Sequence, residues 1–159
     1  MRSAGGRAGV DSGQRQPGRP SGWVRVAALM YIAALAVVTL LPIAWTGRPS
    51  TYEPQLVPFE GIRGELEVSP VERLAELFGN VLLFVPLGLL LPLLVPAMRR
   101  WWQVLAVGAG VSLLLELYQL AWPGVRKASV NDLLMNALGA VLGFTALRLT
   151  KALLGRRLR

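Results

Sequence analysis

Four long apolar runs constrain this chain more than any other feature. Residues 26 to 47 carry no charge between Arg25 and Arg48, and residues 77 to 98 carry none between Glu76 and Arg99. Residues 101 to 125 are interrupted only by Glu116, and residues 133 to 147 lie between Asp132 and Arg148. A helix needs roughly 20 mainly apolar residues to cross the hydrocarbon core of a bilayer. Backbone N–H and C=O groups find no water there, so an apolar run that crosses must satisfy them within itself, as a helix does. The expected fold is therefore all-α: a polytopic membrane protein, a bundle of four transmembrane helices, some of them Pro-kinked. The spans are expected at about 26–45, 77–97, 102–122 and 130–148. Trp23, Trp45, Trp101, Trp102 and Trp122 stand at the ends of these runs, where amphipathic rings favour the membrane interface.

Composition narrows the chemistry. Of 159 residues 53% are hydrophobic and the mean hydropathy is +0.49, too apolar for an ordinary soluble domain. The chain has no Cys and no His. Disulfides, thiolate nucleophiles, Ser-His triads and His-ligated metals are excluded. No cofactor is expected. The net charge of +8 first raises nucleic acid as a partner. The bases, however, flank apolar runs instead of lining one solvated face, which argues for membrane orientation and for a lipid bilayer as the partner.

The chain divides into three parts. Residues 1–22 are Arg, Gly, Ser, Pro and Gln with almost no large apolar side chain, a composition that predicts a disordered basic tail. The run that follows is too long for a signal peptide and has no clean small-residue cleavage site. Residues 23–150 form the membrane domain, and residues 151–159 a basic cytoplasmic tail. The outer loop, 48–76, holds three Arg against six Glu. Near its end Ser69-Pro70-Val71-Glu72 is a helix-start signal, with Ser as N-cap and Pro at the first helical position. Pro86, Pro92 and Pro96 each remove a backbone donor, so the second span is expected to kink and become irregular toward its end. With four spans, the tails and the Arg99-Arg100 turn share one side and hold 12 bases, against 5 on the other. That asymmetry predicts a multi-pass membrane protein with both termini cytoplasmic, and the dominance of Arg, 15 of 17 basic residues, reads as the codon bias of a GC-rich bacterial genome.

The polar residues of the spans collect toward the outer side. Ser112, Glu116 and Gln119 are spaced i, i+4, i+7 and share one helix face. Asp132, Asn136, Gly139 and Gly143 share a face of the fourth span. Asn80 lies at the outer end of the second span, and Arg126 in the outer turn between the third and fourth. Asn80, Glu116, Gln119, Arg126, Asp132 and Asn136 are the candidate polar site. Gly88, Gly139 and Gly143 are candidates for close helix packing, with a ligand cradle the lesser alternative for the last two.

Several pieces, in order, resemble the VanZ-like family of small bacterial membrane proteins. They are Asn80-Val-Leu-Leu-Phe84-Val-Pro86-Leu-Gly88, Ser112-x3-Glu116-x2-Gln119, Arg126, and Asn131-Asp132-x3-Asn136-x2-Gly139-x3-Gly143. Val57-Pro58-Phe59 adds a weaker match to a Pro-Phe element after the first span. The resemblance covers about residues 55 to 145. The family is named for a member that lowers sensitivity to teicoplanin, a lipid-tailed glycopeptide. The resemblance thus implies a cell-envelope role and a resistance phenotype, and carries over no catalytic residues.

Each polar residue has a structural and a functional reading. A carboxyl in a membrane span usually faces a cavity and has a partner, so Glu116 is either a binding group or a packing residue paired with Arg126. Ser129-Val-Asn-Asp132 has the form of a capping box, which offers Asp132 a helix-start role. Asn80 and Asn136 can bond across helices. Arg126 can bind an anionic head group or pair with Glu116 or Asp132. Ser112 has no base beside it and reads as a packing hydroxyl. Three functions follow. One is an accessory protein binding a lipid-linked cell-wall precursor or an acylated glycopeptide in the outer leaflet. Another is a membrane-embedded enzyme using Glu116 and Asp132 as an acid–base pair. The third is a small transporter or packing module, disfavoured as an autonomous transporter by the lack of an internal repeat.

Overall fold

A computed structural model of the chain describes residues 20–40, 58, 70–121 and 129–157. Among the described residues the secondary structure is four helices: α1 (Gly22–Leu40), α2 (Pro70–Leu94), α3 (Trp101–Ala121) and α4 (Val130–Arg157). All four are long and apolar enough to cross a membrane. The all-α four-helix membrane bundle read from the sequence is therefore the fold observed.

The helix ends follow local chemistry. α2 begins at Pro70, where a missing N–H is one of the orphan donors of a first turn anyway. It then runs through Pro86 and Pro92 without a break. This corrects the expectation of irregular structure in the second half of that span. Each ring removes one hydrogen bond, but in hydrocarbon the alternative of unwinding would expose many more. The helix ends where proline disfavours helical geometry for the residue before it: Val95 N–H still reaches Leu91 O at 2.8 Å, and Pro96 follows. A tight turn leads into α3. Gln103 Oε1 accepts from the backbone N–H of both Arg99 and Arg100 at 3.0 Å, closing the start of α3 as the second half of a capping box does. α4 continues as helix past Arg148 to Arg157, through most of the segment read as a tail.

The packing is that of a bundle held by small residues. A Cβ at Gly139 would fall on the Val81 carbonyl, and one at Gly143 on the Val85 carbonyl. One at Gly88 would fall on the Ala140 carbonyl. Backbone thus meets backbone along α2 and α4, which form the principal interface of the bundle. Such close approach is available only where side chains are absent, and it is the means by which helices gain dispersion contact in a membrane. The pairs Val81–Gly139 and Val85–Gly143 advance together, so α2 and α4 run parallel. Gly108 of α3 lies against Ala140, and Ser112 bonds Asn136, so α3 runs antiparallel to α4. Val104, Ala140 and Phe144 form the apolar core, with Leu91 packed against it. α1 docks on α2, where Tyr31 Oη donates to the Leu83 carbonyl at 3.1 Å.

Small and polar side chains face inward beside Phe84 and Phe144, and many Leu side chains face outward. Ala137, Ala140, Ser112, Asn136 and Asn80 are buried, while Leu82, Leu114, Leu149 and Leu153 are exposed. In water this order would be unstable. Around a bundle in lipid it places Leu against acyl chains and hides the polar groups.

Candidate functional site

The polar residues gather at the end of the bundle formed by the start of α2, the end of α3 and the start of α4. Asn80, Ser112, Gln119, Asn131, Asp132 and Asn136 are all buried there, and Glu116 is half-buried. Two hydrogen bonds tie α3 to α4. The first joins Asn136 Nδ2, as donor, to Ser112 Oγ at 2.9 Å, fully inside the bundle. The second runs from the backbone N–H of Ser129 to Glu116 Oε2 at 2.7 Å, a length typical of a bond to a charged acceptor.

The second bond redistributes the roles expected at the start of α4. Ser129 is the residue before the helix, and its Oγ accepts from the Asn131 N–H at 3.2 Å, as an N-cap does. In a capping box the acid three residues on would close the Ser129 N–H. Here a carboxylate from the neighbouring helix does so. Asp132 is buried and engaged in a different interaction. Glu116 thus serves first as the post to which α4 is fastened.

Among the described residues, Asn80 Nδ2, Gln119 Oε1 and Asn136 Oδ1 are buried with no hydrogen-bond partner. They offer one donor and two acceptors, from three helices, at one end of the bundle. Asn80 directly precedes Val81, whose carbonyl abuts Gly139, so Asn80 and Asn136 lie within about one helical turn of each other in depth. Gln119 lies two turns from Ser112 along α3, nearer the end of the bundle. A buried polar group left unbonded costs about 1–3 kcal/mol, so water or another bonding group at these atoms would stabilise the bundle.

Of the six residues read as a polar site, five therefore stand at this end, and Arg126 lies outside the described residues. Ser112, read from the sequence as a packing hydroxyl, and Ser129, read as the first residue of a capping box, are structural members of the site. Ser112 shares a face with Glu116 and Gln119, which was the available signal.

This order of elements, with Asn80 ahead of the Pro86 and Gly88 pair, the Ser112–Glu116–Gln119 face and the Asn136–Gly139–Gly143 face, has a counterpart among known families. The family model VanZ/LLP1 matches residues 28–151, most of the chain. The chain belongs to the VanZ/LLP1 family. The match of this VanZ/LLP1 protein begins inside α1 and ends within α4, so it takes in all four spans, including the first. No curated protein and no solved structure matches the chain.

Proposed function

We propose that this VanZ/LLP1 protein is an accessory membrane protein that binds the polar part of an acylated or lipid-linked molecule within the outer leaflet. The observation that carries this reading is the set of three buried atoms without partners, Asn80 Nδ2, Gln119 Oε1 and Asn136 Oδ1. They suit a neutral polar group with both hydroxyl or amide donors and acceptors, such as a sugar or peptide head. The exposed Leu side chains beside them suit its acyl tail. The family's named phenotype, lowered sensitivity to teicoplanin, concerns a molecule of this build.

The enzymatic alternative has less support. It asks Glu116 to move protons, while one oxygen of that carboxylate fastens Ser129. We assign Glu116 a positioning role instead.

The test is growth inhibition in a susceptible Gram-positive host expressing the protein, with teicoplanin and vancomycin compared side by side. Sensitivity to teicoplanin should fall more than sensitivity to vancomycin. The double variant Gln119→Leu/Asn136→Leu should lose that difference while still accumulating in the membrane. Equal shifts for both drugs would indicate general wall remodelling and overturn the binding reading. Retention of the difference by the double variant would remove these amides from the site.

A further inference from the structure

The opposite end of the bundle carries a second, unrelated feature. Arg99 and Arg100 form the turn between α2 and α3, and Arg148 and Lys151 lie on the exposed last turns of α4. The described acidic side chains, Glu76, Glu116 and Asp132, all lie toward the other end. Among the described residues, this end is therefore cationic throughout.

The helix register sets two of these cations at one depth. Gly108 faces Ala140 across antiparallel helices. Going back eight residues along α3 reaches Arg100, and going forward eight along α4 reaches Arg148. The two stand at one depth, with Lys151 a turn farther out. Arg99 is also held in place: its Nε donates to the Pro96 carbonyl at 3.2 Å. The Arg148 guanidinium sits 5.8 Å from the centre of the Phe144 ring, a cation–π distance.

Length adds a second argument. α4 has 28 residues, about 42 Å at 1.5 Å each, against a hydrocarbon core of about 30 Å. Its last turns extend into the head-group region. There they present Leu149, Leu153 and Leu154 among the cations, and Trp101 and Trp102 are exposed at the start of α3. Cations interleaved with large apolar side chains fit a boundary between phosphate and acyl chain. A water-facing polyanion such as nucleic acid would use only the charges.

We propose that this end is a docking surface for anionic phospholipid, with Arg99, Arg100, Arg148 and Lys151 holding the phosphodiester and Trp101 and Trp102 bordering the acyl chains. The site is independent of the polar cluster at the other end.

The experiment uses the full chain carrying W23F/W45F/W122F, so that Trp101 and Trp102 report on their surroundings. It is reconstituted in phosphatidylcholine vesicles with a fixed fraction of brominated phosphatidylglycerol or brominated phosphatidylcholine, and quenching of tryptophan fluorescence is read. Brominated phosphatidylglycerol should associate more strongly, by about fivefold for each basic group engaged. The preference should shrink as salt rises, because charges at a surface are screened. R99Q/R100Q/R148Q/K151Q should abolish it. R99K/R100K/R148K, which keeps the charge, should retain most of it, so a folding defect in the neutral variant does not decide the matter. Equal quenching by the two lipids would overturn the proposal. So would a preference that survives charge neutralisation in a protein of unchanged helicity. Loss of the preference on adding a single-stranded oligonucleotide to the outside of the vesicles would reassign the surface to nucleic acid.

Discussion

The backbone N–H of Ser129 donates to the Glu116 carboxylate across 2.7 Å, joining the start of α4 to the last turns of α3. A cap normally drawn from the helix's own first turn is here drawn from its neighbour. The order of the polar end therefore depends on one side chain in a different helix.

Glu116→Ala should consequently destabilise the bundle by about 1–3 kcal/mol, the cost of leaving a partly buried donor unbonded. Glu116→Gln keeps an oxygen acceptor and should cost less. Thermal unfolding of the purified protein in detergent, followed by circular dichroism, measures both. Equal losses for the two variants would mean that the Ser129 bond contributes little.

Ser112 and Asn136 should be energetically coupled. Ser112→Ala removes the acceptor of a buried amide donor, and Asn136→Leu removes the donor. Ser112→Ala/Asn136→Leu should be less destabilised than the sum of the single variants, with a coupling of roughly 0.5–1.7 kcal/mol. Additive losses would show that the bond contributes nothing net.

Glycine-to-alanine substitutions should separate sharply by position. Gly139→Ala and Gly143→Ala set a methyl group against a carbonyl of α2 and should cost about 1–3 kcal/mol through forced backbone shifts. Gly110→Ala meets no atom within 4 Å and should be neutral or slightly stabilising, because alanine is the better helix former. Denaturation midpoints in a common detergent would rank the three. A Gly143→Ala protein as stable as the parent would contradict the close packing.

The basic asymmetry predicts cytoplasmic termini, and this orientation is open to direct labelling because the chain has no cysteine of its own. Arg15→Cys, Glu65→Cys and Arg157→Cys, made singly, should give labelling by an impermeant thiol reagent in intact cells only at position 65. Labelling at 15 or 157 would reverse the assignment.

Much of this architecture was legible because membrane spans are written in length and hydropathy, both of which survive without neighbours. The start of α2 was legible for a local reason as well, since Pro70 suits a first helical position. The course of α2 beyond Pro86 was not. Whether a helix breaks at proline depends on what surrounds it, and here the helix continues to Leu94 beside the close approach of Gly88 to Ala140. The polar end divides in the same way. Spacing alone puts Ser112, Glu116 and Gln119 on one face. That Ser112 meets Asn136, and that Glu116 meets Ser129, depends on the antiparallel register of two helices, which no spacing within one helix contains. Arg126, read as a partner for Glu116 or Asp132, itself lies outside the described residues.

The parallel contact of α2 with α4 bears on how the protein is made. Gly139 and Gly143 fit carbonyls of a span synthesised well before them, with all of α3 in between. At about 5–20 residues per second, α2 waits several seconds in the membrane before its main partner emerges. During that interval its glycine-bearing face is open to other helices, including those of a second ribosome's product. Overexpression should for this reason favour tangled multimers over correct bundles, and slowing synthesis after α3 would not relieve them. Speeding delivery of α4 would.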